Sequence, residues 1–341
     1  MLLTILALTV ALPRPLILVH YMPWHQAPPF SKEFGWHWTM NHFDPKKGEI
    51  ASRLHPLIGA YDNTDPDVIE YHALLMKIAG IDGAILDWYG IDDVYDYSFI
   101  HKASKMCIDR LSKSGMKFGI CYEDQTMPPL IKAGIVKEAE TTEYGRKVLT
   151  WLDQNWLKRP NYIRVEGKPA LLVFGPQFFK QEQWEPMRQG FGVDIYGVMG
   201  PYGFDNSGFG WPAPKETYSK SQDEMDAFYA RAKGKRFIAG AYPRFMDVYK
   251  SAGLSYGHPD IDDRDGETFR TTFTQALRSG SPIIQIATWN DWGEGTVIEP
   301  SKEYGYRDLE EIQRARKNLV YSKQDLRLPL RLFLLRKKRA K

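Results

Sequence analysis

Short apolar runs alternate with amphipathic segments along most of the 341-residue chain. The apolar runs are rich in β-branched side chains, as is typical of strands that are buried on both faces. The amphipathic segments carry apolar residues at helical spacing, and several begin at an aspartate or end at a glycine. Strands are predicted over 15–21, 81–86, 117–121, 170–174, 194–199, 236–241 and 283–287. Helices are predicted over 65–79, 97–113, 138–156, 181–190, 221–233, 265–279 and 304–321.

This alternation of strands and helices predicts a mainly parallel sheet covered by helices. The chain is long enough for one barrel, so we expect the α/β class and a single-domain (β/α)8 TIM-type barrel over residues 13–322. Closing that barrel requires an eighth strand, which the pattern does not reveal. Residues 323–341, which end in LRLFLLRKKRAK, are predicted to form a basic C-terminal tail that is solvated or packed against the barrel.

The chain begins with the apolar run MLLTILALTVAL. It is too short to span a bilayer as a helix, and it lacks the basic residues that precede the apolar part of a signal peptide. Two interpretations of residues 1–12 therefore stay open: a signal or leader segment, or a start that leads into the first strand. The first interpretation predicts a secreted or periplasmic protein, without stable membrane insertion.

Aromatic and carboxylate residues follow the ends of several predicted strands, and they are densest after the last one, in TWNDWGEGTVIEP. In a parallel barrel the catalytic side chains lie at the C-terminal ends of the strands. Asp291 and Glu294 are three residues apart, and two such carboxyls can divide acid and base roles if their surroundings separate their pKa values. A carboxylate after a strand can instead cap a helix, and tryptophans at a barrel rim can belong to the core.

The strand ends also supply candidates for a carbohydrate cleft, because flat apolar ring faces beside hydroxyls suit a sugar. We expect the aromatic candidates to converge on one face of the barrel, around the carboxylates. The long segment 26–64 is rich in Trp, His, Pro and Gly, and it is predicted to be an ordered loop over the top of the barrel. The candidate substrate-binding residues are Tyr21, Trp24, Trp88, Tyr89, Tyr122, Glu123, Tyr202, Tyr242, Trp289 and Trp292.

Charge and motif content argue against several other function classes. The net charge of +3 argues against a dedicated nucleic-acid binder. The chain has no GxGxxG after a strand and no phosphate loop, which disfavours a nucleotide enzyme. Cys107 and Cys121 lack metal-ligand spacing and are predicted to be small buried side chains. The histidines of one N-terminal region are interpreted as hydrogen-bonded loop residues rather than metal ligands: His20, His25, His37 and His42. We therefore expect no metal and no cofactor. We also expect a monomer.

Several ordered motifs resemble the glycoside hydrolase family 71 and family 99 group: HYMPW, LIGAYDNTDPDVIEYH, AGIDGAILDWYG, GICYED, and WNDWGEGTVIEP followed by EYGYRDLE. The resemblance extends from about Tyr21 to Arg314. It implies a (β/α) barrel that hydrolyses α-glucans or α-mannosidic linkages of an oligosaccharide or polysaccharide, within the chain and without a metal in catalysis.

The resemblance also implies roles for single residues. Glu294 corresponds to the general acid, and Glu299 to a supporting, substrate-binding carboxylate of the same motif. Asp291 stands where family 99 has a glutamate that assists the 2-hydroxyl of the sugar, and in this respect the chain is more like family 71. The stereochemical course therefore stays open.

Two other classes stay open as alternatives. WbsX-type polysaccharide-assembly glycosyltransferase-like proteins share a similar tryptophan–carboxylate–EP motif, although their N-terminal pattern differs. A carbohydrate-binding barrel without catalysis would use the same aromatic strand ends. A requirement for a nucleotide donor would favour the first of these classes, and binding without bond cleavage would favour the second.

Overall fold

The computed structural model describes residues 14–200, 207–316 and 323–339. Within them, eight parallel strands pair in order around a ring that the contact between β3 and β5 closes. The predicted (β/α)8 barrel is therefore confirmed. The antiparallel strand β4 lies outside the ring and pairs only with β5. The strands are β1 (Leu16–Tyr21), β2 (Gly83–Trp88), β3 (Lys117–Tyr122), β4 (Arg164–Val165), β5 (Lys168–Val173), β6 (Asp194–Val198), β7 (Gly208–Phe209), β8 (Phe237–Ala241) and β9 (Ile283–Ile286).

The eighth barrel strand that the sequence does not reveal is β7. It contains only two residues, Gly208 and Phe209, which pair with β6 on one side and β8 on the other. Neither the length nor the composition of this strand stands out from a loop, since strands usually contain three to ten residues. A pattern search therefore cannot separate it from its surroundings.

The predicted helices form around the barrel, with ends that shift by a few residues. The last one, predicted over 304–321, ends at Ala315, and residues 317–321 of that prediction lie outside the described residues. Helix α2 shows why its prediction is simple: the Asp65 side chain accepts the Asp67 N–H, Pro66 opens the helix, and Gly80 ends it with a φ of 85°. The helices are α1 (Trp36–Thr39), α2 (Pro66–Ala79), α3 (Tyr97–Lys113), α4 (Met127–Lys132), α5 (Thr141–Leu152), α6 (Gln181–Arg188), α7 (Tyr218–Ala232), α8 (Glu267–Arg278), α9 (Arg307–Ala315) and α10 (Leu328–Arg339).

The basic C-terminal segment packs on the barrel through α10. Phe333 is buried against Tyr71 of α2, with ring centroids 5.6 Å apart. Arg336 pairs with Glu70 at 3.1 Å, and Lys337 pairs with Asp65 at 2.6 Å. An acidic side chain of α2 and the aspartate of its N-cap thus hold two of the cations of this segment.

No helix in 14–200, 207–316 or 323–339 is both long and apolar enough to cross a membrane. The predicted leader segment, residues 1–12, lies outside the described residues.

Candidate active site

A cavity of about 220 Å³ opens at the C-terminal ends of the barrel strands. Its walls come from the ends of six strands and the loops that follow them, from the predicted top loop 26–64, and from the long segment between β8 and α8. It is lined by His20, Met22, Trp24, Trp36, His37, Met40, Asp87, Tyr89, Glu123, Gln125, Phe174, Trp211, Tyr249, Tyr256, Asp291, Gly293 and Glu294.

A larger groove of about 780 Å³ lies between α7 and α8, and it reaches Phe237 at the N-terminal end of β8. It contains a single carboxyl, that of Glu267, beside Lys233, Arg270 and Arg278. Barrel enzymes carry their chemistry at the opposite face, so the cavity is the better candidate site.

The loop after β9 positions the two candidate catalytic carboxyls. The Asp291 N–H donates to Thr288 Oγ1 at 2.9 Å, and the Glu294 N–H donates to Asp291 Oδ1 at 3.1 Å. Gly295 has a φ of 65°, which a residue with a side chain rarely adopts. The hydroxyl of Tyr249, from the segment after β8, donates to Glu294 Oε1 at 3.0 Å. The turn thus directs both carboxyls into the cavity, and Tyr249 fixes the second.

Burial is the main cause that raises the pKa of both carboxyls. The pKa of Asp291 is raised to about 7, because burial and the charge of Asp87 outweigh the backbone hydrogen bonds to its carboxylate. The pKa of Glu294 is raised well above its ordinary value, first by burial and then by the charge of Asp291, although the Tyr249 hydrogen bond opposes this. The charge of Asp291 raises the pKa of Glu294, and backbone N–H groups stabilise the Asp291 carboxylate, so these interactions favour the proton on Glu294.

A second pair of carboxyls, Asp87 and Glu123, faces the same cavity. Burial raises the pKa of both, and a hydrogen bond between them favours the proton on Glu123. The amide of Gln125 donates to Glu123 Oε2 at 2.7 Å. Four carboxyls thus share one small cavity, and within the described residues its lining includes no lysine or arginine.

Aromatic rings form part of the cavity wall. Trp24 stacks on His37, with ring centroids 4.1 Å apart and an angle of 5° between the planes, and Tyr89 meets Trp24 edge-on at 6.3 Å. Burial lowers the pKa of His37 to about 3, so this imidazole is neutral at physiological pH. The wall therefore offers flat, uncharged faces beside the carboxyls.

Beneath the cavity, a buried hydrogen-bond network joins the loop after β9 to the helices. The hydroxyl of Tyr61 donates to Glu299 Oε2 at 2.7 Å and accepts the indole N–H of Trp292 at 3.2 Å. His72 of α2 contacts the other oxygen of Glu299 at 3.1 Å, and its second ring nitrogen lies 3.0 Å from the Tyr21 hydroxyl. Glu299, Trp292 and Tyr21 therefore belong to a hydrogen-bonded layer that supports the residues lining the cavity.

The structure divides the candidate residues into two groups. Asp291, Glu294, Trp24, Tyr89 and Glu123 line the cavity. The other described candidates are buried in the barrel wall and do not line it: Tyr21, Trp88, Tyr122, Tyr242, Trp289, Trp292 and Glu299. Tyr202 lies outside the described residues.

The two-residue period of a strand explains much of this division, because neighbouring side chains point to opposite faces. Asp87 and Tyr89 reach the cavity, whereas Trp88 between them packs against Trp151 and Trp156 in the helical layer. The sequence analysis selects aromatic residues at strand ends without deciding which face each one occupies.

Six polar lining residues are absent from the sequence-based candidates: His20, His37, Asp87, Gln125, Tyr249 and Tyr256. His20 directly precedes the candidate Tyr21 on β1, and Asp87 directly precedes the candidate Trp88 on β2. Because side chains two residues apart on a strand share a face, counting back two residues from Tyr89 would have found Asp87. Tyr249 lies in the 242–266 segment between β8 and α8, for which the sequence pattern predicts no element. The sequence feature that could have identified Tyr249 is its place in a segment that follows a barrel strand, since the loops after barrel strands carry function.

Curated proteins with similar sequences are endo-mannosidases by name. The chain is 23% identical over 334 residues to a glycoprotein endo-α-1,2-mannosidase of Rattus norvegicus, a match that covers 82% of this chain and 66% of that protein. It is 22% identical to a glycoprotein endo-α-1,2-mannosidase-like protein of Danio rerio, a match that covers 83% and 70%. The chain thus spans about two thirds of the length of these relatives. No protein-family model matches the chain.

Solved structures give the same picture of the fold. A family 99 endo-α-mannosidase from Bacteroides thetaiotaomicron matches with a TM-score of 0.67 and 18% identity, covering 92% of this chain and 98% of that one. A glycoside hydrolase-like protein matches with a TM-score of 0.62 and 14% identity, covering 89% and 94%. These structures share the barrel fold, and together with the sequence relatives they confirm the resemblance to the family 99 group.

Proposed function

We propose that this chain is a glycoside hydrolase that cleaves α-mannosidic linkages within a glycan. The observation that carries the proposal is the pair Asp291 and Glu294: two buried carboxyls in one cavity, joined through a backbone hydrogen bond, both with a raised pKa. Glycoside hydrolysis needs one carboxyl that is protonated and one that is ionised near neutral pH. The α-mannosidic specificity is taken from the curated relatives, which are endo-α-1,2-mannosidases by name.

In this proposal Glu294 is the general acid and protonates the leaving glycosidic oxygen. Asp291 is the base, and it removes a proton from water in an inverting reaction or from the 2-hydroxyl of the sugar in a retaining one. Tyr249 holds the Glu294 carboxyl in place through its 3.0 Å hydrogen bond. Following the product anomer by NMR distinguishes the two courses.

The charge of the cavity supports a neutral sugar over a nucleotide-activated one. Four carboxyls and no described lysine or arginine surround the space, so the phosphates of a nucleotide donor would meet repulsion without compensation. The aromatic rings of Trp24 and Tyr89 line the same cavity and supply uncharged apolar surface for a sugar ring. This charge distribution favours hydrolysis over the WbsX-type transferase alternative.

The setting of the enzyme is also part of the proposal. We infer that it acts as a monomer on an oligosaccharide or polysaccharide. We also infer a secreted or periplasmic location, because the N-terminal apolar run has the character of a leader segment.

A substrate screen tests the proposed activity. Purified protein is incubated with α-mannans and, in parallel, with α-glucans, and the released oligosaccharides are separated and sized. We expect release of fragments from an α-mannan. Tight binding to one polymer without release from any of them would support the binding-module alternative instead.

Glu294→Gln tests the acid. The loss of a general acid typically lowers the rate by ~10²–10⁴-fold, and the loss is largest where the leaving group needs a proton. We expect that loss on an unactivated α-mannoside and a smaller one on an aryl mannoside with a good leaving group. Equal losses on both substrates would remove Glu294 from the acid role. Fully retained activity in Asp291→Asn would remove the pair from the mechanism.

A further inference from the structure

Three potential metal ligands from three neighbouring strands meet below the cavity: His20 of β1, Asp87 of β2 and Cys121 of β3. An imidazole nitrogen, a carboxylate oxygen and the thiol sulfur lie within 4.8 Å of one another, and all three side chains are buried. The strand register brings them together, since Asp87 pairs directly with Cys121, and His20 pairs with Ile85, two residues before Asp87.

Two of these ligand atoms have no hydrogen-bond partner in the described protein. His20 Nε2 and Asp87 Oδ1 are buried and lie 3.6 Å apart, which is longer than a hydrogen bond. The two atoms face each other within the range of an ion pair, but neither makes a hydrogen bond, and a buried polar atom without one is costly. The separation suits two ligands of one tetrahedral ion, because Zn²⁺ bond lengths of about 2.0–2.3 Å place neighbouring donor atoms about 3.3–3.8 Å apart.

The environment of His20 orients its ring for metal binding. Gln285 directs its amide nitrogen to the Gly210 carbonyl at 3.5 Å and its Oε1 to His20 Nδ1 at 3.2 Å. We assign the tautomer from this arrangement: Nδ1 carries the hydrogen, and the lone pair lies on Nε2, which faces Asp87. An oxygen that accepts from the distal nitrogen is the usual support of a metal-binding histidine.

We propose that His20, Asp87 and Cys121 form a binding site for Zn²⁺ or a similar transition-metal ion. A set of nitrogen, oxygen and sulfur ligands suits these ions and not Mg²⁺ or Ca²⁺, which take oxygen ligands. Binding forms a metal–sulfur bond and releases the proton of the Cys121 thiol to solvent. Three protein ligands leave one tetrahedral position, which water or a glycan hydroxyl completes.

The position of the site gives the ion an entry path. His20 and Asp87 both line the cavity, so an ion reaches them from solvent without passing through the barrel wall. The charge of Asp87 also acts on Asp291. The metal site itself does not depend on the proposed hydrolase activity.

A titration of the chelator-treated full chain with Co²⁺ tests the proposal by absorption spectroscopy. Co²⁺ bound by a thiolate gives a charge-transfer band in the near ultraviolet, which a site without sulfur lacks. We expect the band to grow to one equivalent of Co²⁺ and to disappear when Zn²⁺ displaces the cobalt. Absence of the band in the wild-type protein would overturn the proposal, whatever its activity on glycans.

The two cysteines of the chain provide matched variants. Cys107 is buried in α3 and is not among the three clustered ligands, so Cys107→Ser should retain the band, whereas Cys121→Ser should lose it. In Cys107→Ser the sole thiol is Cys121, so this variant assigns the band even if Cys121→Ser does not fold. Loss of the band in Cys107→Ser, or its persistence in a folded Cys121→Ser, would refute the site.

Discussion

At the scale of single residues, the chemistry of the site depends on which carboxyl holds a proton. The hydrogen bond from Tyr249 to Glu294 favours the ionised form of that carboxyl, whereas burial and the charge of Asp291 favour the neutral form. The second influence prevails, and the pKa of Glu294 stays well above its ordinary value. Tyr249 therefore orients the acid without taking its proton, and its own pKa is raised by burial and by Glu294.

This balance predicts the effect of Tyr249→Phe on the pH dependence of activity. Removing the hydroxyl removes a hydrogen bond that stabilises the ionised carboxylate, so the pKa of Glu294 rises further. An acid catalyst must be protonated, and its pKa sets the alkaline limb of kcat/KM. We expect that limb to move to higher pH, measured on an α-mannoside over the pH range in which the protein is folded.

Tyr256→Phe is the matched control for this measurement. Tyr256 lines the same cavity, and its hydroxyl makes no hydrogen bond to Glu294 within the described residues. Its removal should leave the alkaline limb in place. A limb that stays fixed in Tyr249→Phe, or moves equally in both variants, would contradict the role assigned to Tyr249.

The residue scale is also where prediction from sequence is weakest. The position of Asp291 and Glu294 in the cavity could be predicted because they are close in sequence and follow a clear strand. Asp87 and Trp88 are neighbours on β2, yet one faces the cavity and the other the helical layer. Deciding between them requires the position of each strand end to within one residue, because a shift of one residue exchanges the two faces.

At the scale of elements, closure of the barrel depends on a close approach of two backbones. A Cβ atom built on Gly240 of β8 would lie 2.5 Å from the carbonyl group of Gly210, which follows β7. Real Cβ atoms essentially never come this close to backbone atoms. A glycine at this position lets the two-residue strand β7 lie against β8 and complete the ring.

We therefore expect Gly240→Ala to destabilise the fold. Relieving the overlap requires a backbone shift at the shortest strand, and such overpacking typically costs ~1–3 kcal/mol. The free energy of unfolding in urea measures this cost. Gly192→Ala is the control, because Gly192 is exposed with nothing near its Cβ position, and such surface changes stay within ~0.5 kcal/mol. Equal unfolding midpoints for the two variants would exclude the close approach as the reason for the glycine.

The longer elements were predictable, and the reasons are local. Helix α2 carries its N-cap, its proline and its terminal glycine within the sequence 65–80. Strand β9 is an apolar run with one polar residue, Gln285, and it is buried at every position. Strand β7 has no such local signal, since its two residues are held by pairing with β6 and β8. An element whose stability comes from its neighbours leaves little trace in its own sequence.

At the scale of the whole molecule, the fold concentrates four carboxyls from β2, from the segments after β3 and from the loop after β9 in one cavity. Burial raises the pKa of each of them: Asp87, Glu123, Asp291 and Glu294. Burying carboxyls side by side opposes folding wherever they ionise, and such strain is typical of functional sites. The rest of the barrel must offset this cost.

This cost predicts how stability depends on pH. The pKa of Asp291 rises from its ordinary value of 3.8 to about 7 in the folded protein. Between these values the unfolded chain is ionised at Asp291 and the folded protein is protonated. Unfolding then releases a proton, so stability falls as pH rises from about 4 to about 7 and stays lowered above that. The penalty is on the order of a few kcal/mol at pH 8.

Asp291→Asn should remove the penalty, because an amide does not ionise and its oxygen can still accept the Glu294 N–H. We expect the variant to melt above the wild-type protein at pH 8 and close to it at pH 4, measured by thermal denaturation at both values. Asp93→Asn, which changes an exposed aspartate, should give no such gain. A gain of equal size at both pH values would mean that ionisation of Asp291 is not its cause. No gain at pH 8 would mean that the carboxyl at this position does not oppose folding, and the proposed division of protons between Asp291 and Glu294 would lose its basis.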